Sequence, residues 1–146
     1  MRRYADTSFL LSLAAQDNNS AAARAEMRRV GGSLNLPLSA FGEFEARNAL
    51  RGAVKRGHLT PGDVRAAGLV LRWMMSRGHV TRRTLPWEPW LAEANRLSAA
   101  LSATFGGRGL DVLHVAAARM LGAVEFLSFD GGQRTFAAAA GMTVRP

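Results

Sequence analysis

Short apolar runs alternate with longer stretches of helical character along the whole chain, and this alternation limits the fold more than any other feature. Arg3–Ala5 and Val124–Phe129 are two of the resulting strand candidates. An amphipathic or alanine-rich stretch follows each of them. Such a succession is typical of an open, mostly parallel sheet that is covered by helices on both faces. We therefore expect an α/β fold, a Rossmann-like three-layer sandwich with four to five central strands.

The boundaries of these elements follow from capping residues, glycines and the apolar periodicity. Thr7 or Ser8 is expected to cap the first helix, and Ser39 is expected to cap the third. The predicted strands are Arg3–Ala5, Leu34–Leu38, Val80–Leu85, Val124–Phe129 and Met142–Arg145. The predicted helices are Phe9–Ala14, Ser20–Val30, Ala40–Arg56, Pro61–Arg77, Glu88–Thr104, Asp111–Leu121 and Arg134–Ala140. No repeat or linker interrupts the pattern, which predicts one domain over residues 1–146.

Three aspartates share a position relative to these elements. Asp6 and Asp130 each follow a predicted strand, and Asp111 begins a predicted helix. In an open α/β sheet these positions converge on one crevice. Clustered carboxylates favour Mg²⁺ or Mn²⁺, and such a cation can activate water for attack on phosphorus. An aspartate at a helix start is also a common cap, so the pattern alone leaves both interpretations open.

The charge and the residue types narrow the classes of partner. The formal net charge is +8, and 18 of the 19 basic residues are arginine, which pairs bidentately with phosphate. The same excess also serves solubility, so it does not by itself establish nucleic-acid binding. The absence of cysteine excludes disulfides and thiolate metal sites. No apolar run reaches the roughly 18 residues of a membrane span, and we expect a cytoplasmic protein without a leader peptide.

Four segments in order carry a family resemblance that covers nearly the whole chain. They are Tyr-Ala-Asp-Thr-Ser-Phe-Leu at 4–10, Glu-Ala-Arg-Asn-Ala-Leu at 45–50, Arg-Gly-Leu-Asp-Val-Leu-His at 108–114 and Phe-Leu-Ser-Phe-Asp at 126–130. With them the sequence resembles the PIN-domain family, and within it the VapC-type toxins of type II toxin–antitoxin pairs.

This resemblance implies a PIN-like fold and an endoribonuclease that depends on Mg²⁺ or Mn²⁺. It also implies a homodimer and a cognate antitoxin whose peptide lies across the active site. Matched by position, the acidic quartet that catalyses RNA cleavage comprises Asp6, Glu45, Asp111 and Asp130. Asp6, Asp111 and Asp130 are the expected metal ligands.

Several assignments remain open at this stage. Glu43 lies about 200° from Glu45 around a helix, and both flank the apolar stripe, so periodicity does not choose between them. The motif favours Glu45. Many relatives carry another acid after the last aspartate, whereas Gly131 and Gly132 follow Asp130 here, which leaves the number of bound ions open.

Polar neighbours of the acids are candidates for orienting them. Ser8, Asn48 and Ser128 are the expected second layer around the acids, although helix or turn capping is an equal alternative for the serines. His114 follows Asp111 by one helical turn and is expected to be structural or supporting rather than a general base. Two other functions remain, a PIN nuclease in RNA processing and an inactive module that binds RNA or protein.

Overall fold

The computed structural model describes residues 2–31 and 35–146, and the bounds of its helices and strands follow the predicted alternation. The strands are β1 (Arg3–Ala5), β2 (Leu36–Leu38), β3 (Val80–Arg82), β4 (Glu125–Leu127) and β5 (Thr143–Arg145). The helices are α1 (Thr7–Ala14), α2 (Ser20–Val30), α3 (Ala40–Lys55), α4 (Pro61–Ser76), α5 (Trp87–Phe105), α6 (Gly109–Met120) and α7 (Gly131–Ala139).

The strands form two hydrogen-bonded groups that lie side by side. One is a three-stranded sheet in the order β1-β4-β5, and the other is the pair β2-β3. Every strand pairing within the described ranges is parallel, and β1 packs beside β2. The predicted α/β fold with a parallel sheet flanked by helices is therefore confirmed.

Residues on β1 and β4 alternate between two cores, one on each face of the sheet. Tyr4 and Phe126 pair in register and pack among the residues of α5, α6 and α7. Ala5 and Leu127 pair next in register and belong to the core with α1, α2 and α4. A strand with both faces buried is mostly apolar, which explains the apolar residues Tyr4, Ala5, Phe126 and Leu127 at these positions.

Two of the predicted helix starts are corrected by side-chain capping. Asp6, rather than Thr7 or Ser8, caps α1, because its carboxylate accepts the backbone N–H of Phe9. Asp130 caps α7 in the same way, so that this helix begins at Gly131 rather than at Arg134. Asp6 directly follows β1, and Asp130 follows β4 after two intervening residues; each aspartate caps the helix that comes next.

Other boundaries differ from the sequence prediction by a few residues. The strand predicted to reach Leu85 ends at Arg82, and α5 then begins at Trp87 after Pro86. The helix predicted to begin at Asp111 begins two residues earlier, at Gly109. Part of the predicted strand Leu34–Leu38 lies outside the described residues. Within the described ranges, no helix is long and apolar enough to cross a bilayer.

Candidate active site

Asp6 lies at the carboxyl end of β1 in a fully buried position with three hydrogen-bond donors. The backbone N–H of Phe9 donates to one carboxylate oxygen at 2.9 Å. The hydroxyl of Ser8 donates at 2.8 Å, and that of Ser128 donates to the other oxygen at 2.7 Å. Burial raises the pKa of Asp6, and these three bonds and the neighbouring His114 oppose the rise without cancelling it.

Asp130 lies near Asp6 because β1 and β4 are parallel neighbours that end at the same edge of the sheet. Ser128 joins the two acids. Its hydroxyl donates to Asp6 and accepts the backbone N–H of Asp130 at 3.0 Å. Ser8 adds a second link, since it also accepts the backbone N–H of Phe129 at 2.9 Å. The predicted orienting serines therefore both contact Asp6.

Asp111 belongs to the first turn of α6 and is held there by Arg108. The backbone N–H of Arg108 donates to the Asp111 carboxylate at 3.1 Å, and its Nε donates to the same oxygen at 3.0 Å. The Nη2 of Arg108 also donates to Asp130 at 3.1 Å. The guanidinium thus bridges two of the predicted metal ligands while its side chain stays 75% exposed.

Gly107 sets the path of the loop that presents Arg108. Its φ of +123° lies in a region that L side chains rarely adopt, and a Cβ here would come within 2.9 Å of the Phe136 ring. The close approach of this loop to α7 is therefore available only to glycine. Because of this approach, Arg108 at the start of α6 lies close to Asp130 at the start of α7.

Glu45 joins the site from α3 through two side chains on other helices. Its Oε2 atom lies 2.6 Å from Nε2 of His114 on α6. The hydroxyl of Thr7, the first residue of α1, donates to the same oxygen. Burial raises the pKa of Glu45, but the bonds from His114 and Thr7 and the nearby charge of Arg108 outweigh it, so the pKa lies below its ordinary value.

Glu43, the alternative to Glu45, faces a different environment. It forms ion pairs with Arg47 at 2.7 Å and with Arg82 at 2.8 Å. The hydrogen bond from Arg82 is the main reason that the pKa of Glu43 falls to about 2. Glu43 also lines a groove between α3 and α4. Among the described residues, Glu45 is thus the glutamate that contacts side chains next to the aspartates, Thr7 and His114, whereas Glu43 pairs with Arg47 and Arg82.

Comparisons with solved structures bear on the fold of the chain. No protein-family model and no curated protein matches the sequence. VapC20 of Mycobacterium tuberculosis, a toxin that cleaves the sarcin-ricin loop, has 20% identity over 99% of this chain and 99% of its own, with a TM-score of 0.68. PAE2754 from Pyrobaculum aerophilum has 20% identity over 99% and 83%, with a TM-score of 0.60. FitAcB from Neisseria gonorrhoeae has 17% identity over 99% and 96%, with a TM-score of 0.60.

The chain has the fold of VapC-type PIN domains. In this fold the acids named from the sequence lie at the carboxyl end of the parallel sheet and at the adjoining helix starts. Asp6, Asp111 and Asp130 occupy those positions here, and Glu45 approaches from α3. The assignment of individual catalytic and metal-binding roles to them remains a prediction.

The donor chemistry of this site suits a hard divalent cation, since all the acids offer carboxylate oxygens. Within the described part of the chain, however, no three His, Asp or Glu side chains converge closely enough to hold a metal. Asp111 and Asp130 converge on the cation of Arg108 instead. A divalent cation that used Asp111 and Asp130 would therefore have to take the place of the Arg108 guanidinium.

Three contributors to the site were missed or left undecided by the sequence. Arg108 precedes Asp111 by three residues, a spacing that suits an ion pair at a helix start, but its bridge to Asp130 depends on the fold. His114 and Tyr4 form a buried hydrogen-bonded pair that no short motif indicates.

Asn48 is exposed and has no hydrogen bond to the acids among the described residues, so its predicted orienting role has no support.

Proposed function

We propose that this protein is a metal-dependent endoribonuclease that acts as the toxin of a toxin–antitoxin pair. The observation that carries the proposal is the gathering of Asp6, Asp111, Asp130 and Glu45 around one end of a parallel sheet in a VapC-type fold. The sarcin-ricin loop specificity of VapC20 supports RNA as the substrate class. Arginine makes up nearly all of the positive charge and suits contacts with the phosphodiester backbone.

Each residue of the site has a distinct role in this proposal. Asp6, Asp111 and Asp130 hold Mg²⁺ or Mn²⁺, and Ser8 and Ser128 keep the carboxylate of Asp6 in a fixed orientation by donating to it. The bound cation supplies an activated water and stabilises charge on the phosphate.

Glu45 and Arg108 complete the proposed reaction. The lowered pKa of Glu45 keeps it ionised at neutral pH, so that it can accept a proton from water. A cation held by Asp111 and Asp130 would have to displace Arg108 from them. The displaced Arg108 then lies free at the exposed rim, where RNA phosphates arrive.

The function is tested by incubating purified protein with total RNA and with a sarcin-ricin loop oligonucleotide, in Mg²⁺, in Mn²⁺ and in EDTA. We expect cuts that require the cation. Glu45→Gln should lower the rate at least 100-fold, whereas Glu43→Gln, on the same helix, should stay near the wild-type rate, since general base catalysis contributes about 10²–10⁴-fold. Equal activity in both variants, or cuts that persist in EDTA, would contradict the proposal. Binding of RNA without cleavage would instead favour an inactive module.

The groove between α3 and α4 is the proposed docking surface for the antitoxin. Its volume is about 760 Å³. Apolar side chains line it: Leu10, Leu38, Leu50, Val64, Leu69, Leu71 and Met75. Arginines line it as well: Arg47, Arg51, Arg65, Arg72 and Arg82. Such a surface fits an amphipathic helix that places apolar residues in the groove and carboxylates at the arginines.

The arginines of this groove differ in whether they already have an acidic partner. Arg47 and Arg82 are already paired with Glu43. Arg51, Arg65 and Arg72 have no ion pair among the described residues, so they remain available for an acidic partner. This is the reason to propose an acidic antitoxin segment rather than a basic one at this surface.

The docking surface is tested with the small partner that co-purifies from the native host. Arg65→Glu should weaken binding of that partner at least tenfold because it reverses one groove charge. Arg24→Glu, on the exposed side of α2, is the matched control and should bind normally. If both variants lost the same binding affinity, the interaction would depend on net charge alone, and the groove would not be the docking surface.

A homodimer in the cytoplasm completes the proposal. Several large apolar side chains are exposed in one chain, including Trp73 at 54% and Trp87 at 56%. Surfaces of this kind commonly take part in protein–protein contacts. Sedimentation of the purified protein should give twice the 15.7 kDa mass of one chain, and a persistent monomer at micromolar concentration would contradict the dimer.

A further inference from the structure

His114 lies almost fully buried between the sheet and the acidic site. It is 1% exposed. Its Nδ1 atom lies 2.8 Å from the hydroxyl of Tyr4, and its Nε2 atom lies 2.6 Å from Oε2 of Glu45. The ring of Phe41 packs against the imidazole with centroids 5.1 Å apart. Each polar atom of this side chain therefore has one defined partner.

The contact with Glu45 determines where the imidazole carries a proton. An unprotonated Nε2 would direct its lone pair at a carboxylate oxygen 2.6 Å away, which is a repulsive arrangement. Nε2 must therefore carry hydrogen and donate it to Glu45. This holds for both the neutral ring and the imidazolium.

Tyr4 supplies the matching partner at the other nitrogen. A phenol with its ordinary pKa of about 10 keeps its proton at neutral pH. The Tyr4 hydroxyl can therefore donate to an unprotonated Nδ1, which lies 2.8 Å away. In the series Tyr4–His114–Glu45, both ring nitrogens of the buried imidazole thus have a partner.

The consequence for Glu45 is that its two oxygens differ. Oε2 receives the bonds from both His114 and Thr7, whereas Oε1 receives no hydrogen bond from the described residues. A carboxylate held by one oxygen in this way has a fixed orientation and one oxygen that remains available. A flexible glutamate on the surface of α3 would have neither property.

We infer that His114 is a positioning residue, which Tyr4 holds in place and which fixes Glu45 by Oε2 so that Oε1 is left to act in RNA cleavage. This inference rests on the proposed ribonuclease function. It assigns to His114 a role in the rate of the chemical step and none in contact with RNA.

The test compares two substitutions that differ in one donor. His114→Gln can place its Nε2 amide near the position of the imidazole Nε2, and His114→Leu fills similar space without any donor. Single-turnover cleavage of an RNA that the wild type cuts is measured together with RNA affinity and thermal unfolding. We expect His114→Leu to lose about 10- to 100-fold in rate with unchanged RNA affinity, as for groups that orient an active-site ligand. His114→Gln should stay within a few-fold of the wild type.

Equal losses in His114→Gln and His114→Leu at matched stability would overturn the inference, as would a loss confined to RNA affinity. Nitrogen-15 NMR of the histidine rings gives a readout that does not need activity. The Nε2 atom of His114 should carry a proton. Its nitrogen-15 resonance should shift in Glu45→Gln but not in Glu43→Gln. An inactive wild type with these NMR shifts would overturn the ribonuclease proposal alone. An unprotonated Nε2 would overturn the inference even in an active enzyme.

Discussion

At the scale of single residues, Arg108 is the side chain on which the state of the acidic site depends. Its guanidinium lies 3.0 Å from Asp111 and 3.1 Å from Asp130, although the side chain is 75% exposed. The two aspartates would repel each other without a cation between them. A divalent cation that uses the same carboxylates must compete with this arginine.

Arg108→Gln is therefore expected to bind Mn²⁺ more tightly than the wild type. Exposed ion pairs are weak, so loss of the two pairs should raise the affinity for Mn²⁺ only about severalfold. Mn²⁺ binding is measured by electron paramagnetic resonance with no RNA present. Arg96→Gln, which removes an arginine paired with Glu93 on α5, is the control and should leave the affinity unchanged. Weaker binding in Arg108→Gln would show that Arg108 supports the cation site rather than competing for it.

At the scale of elements, Glu93 links α5 to α6 through charge. It pairs with Arg96 of its own helix at 2.7 Å and with Arg119 of α6 at 2.8 Å. Arg119 also donates to the backbone oxygen of Ala140 after α7. The pKa of Glu93 falls to about 2, mainly through the bond from Arg96 against the opposing effect of burial, with Arg119 adding to the fall.

This lowered pKa predicts a specific pH dependence of stability. The ionised Glu93 stabilises the folded chain fully above its ordinary pKa of 4.5, and the contribution is lost as the pH falls towards 2. Glu93→Gln should lower the free energy of unfolding by about 1 kcal/mol at pH 7 because partly exposed pairs contribute little. The difference from the wild type, measured by urea unfolding, should shrink between pH 4.5 and 2. A difference that is constant with pH would contradict the ionic origin.

The elements also show how far the sequence alone could be interpreted. Apolar residues followed by an acid predicted the strands that precede Asp6 and Asp130, because buried parallel strands are mostly apolar. The cap of α1 was assigned to Thr7 or Ser8, since both are good caps and local sequence does not reveal that these side chains bond Glu45 and Asp6.

Long-range contacts account for the rest of what the sequence left undecided. Glu43 and Glu45 flank the same stripe of α3, and only the position of α6, with His114, distinguishes them. The bridge from Arg108 to Asp130 spans 22 positions of the chain. It depends on the close approach of Gly107 to Phe136. No local periodicity encodes contacts of this kind, and they require the packed fold.

At the scale of the whole molecule, the two ends of the parallel sheet carry different chemistry. The carboxyl end gathers Asp6 and Asp130 beside exposed Arg108. At the opposite end, Glu125 is buried and pairs with Arg3 and Arg29. Parallel strands place the same end of each strand at the same edge, so one fold separates the Glu125 charge cluster from the acidic site that Arg108 borders.

The account depends most on Asp111, because it belongs to the crevice through its position at the start of α6. Asp63 occupies the same third position in α4 and accepts the backbone N–H of Thr60, as Asp111 accepts that of Arg108. The two aspartates therefore share a capping role, but Asp111 is buried beside Arg108 at the proposed site, whereas Asp63 is exposed and lies outside it.

The decisive measurement is the rate of Mn²⁺-dependent RNA cleavage by Asp111→Asn and by Asp63→Asn, each checked for folding by thermal unfolding. The account predicts that Asp111→Asn loses at least 100-fold in rate while Asp63→Asn cleaves at close to the wild-type rate. Retained cleavage in folded Asp111→Asn, or equal losses in the two variants, would contradict a ribonuclease site at the carboxyl end of the sheet.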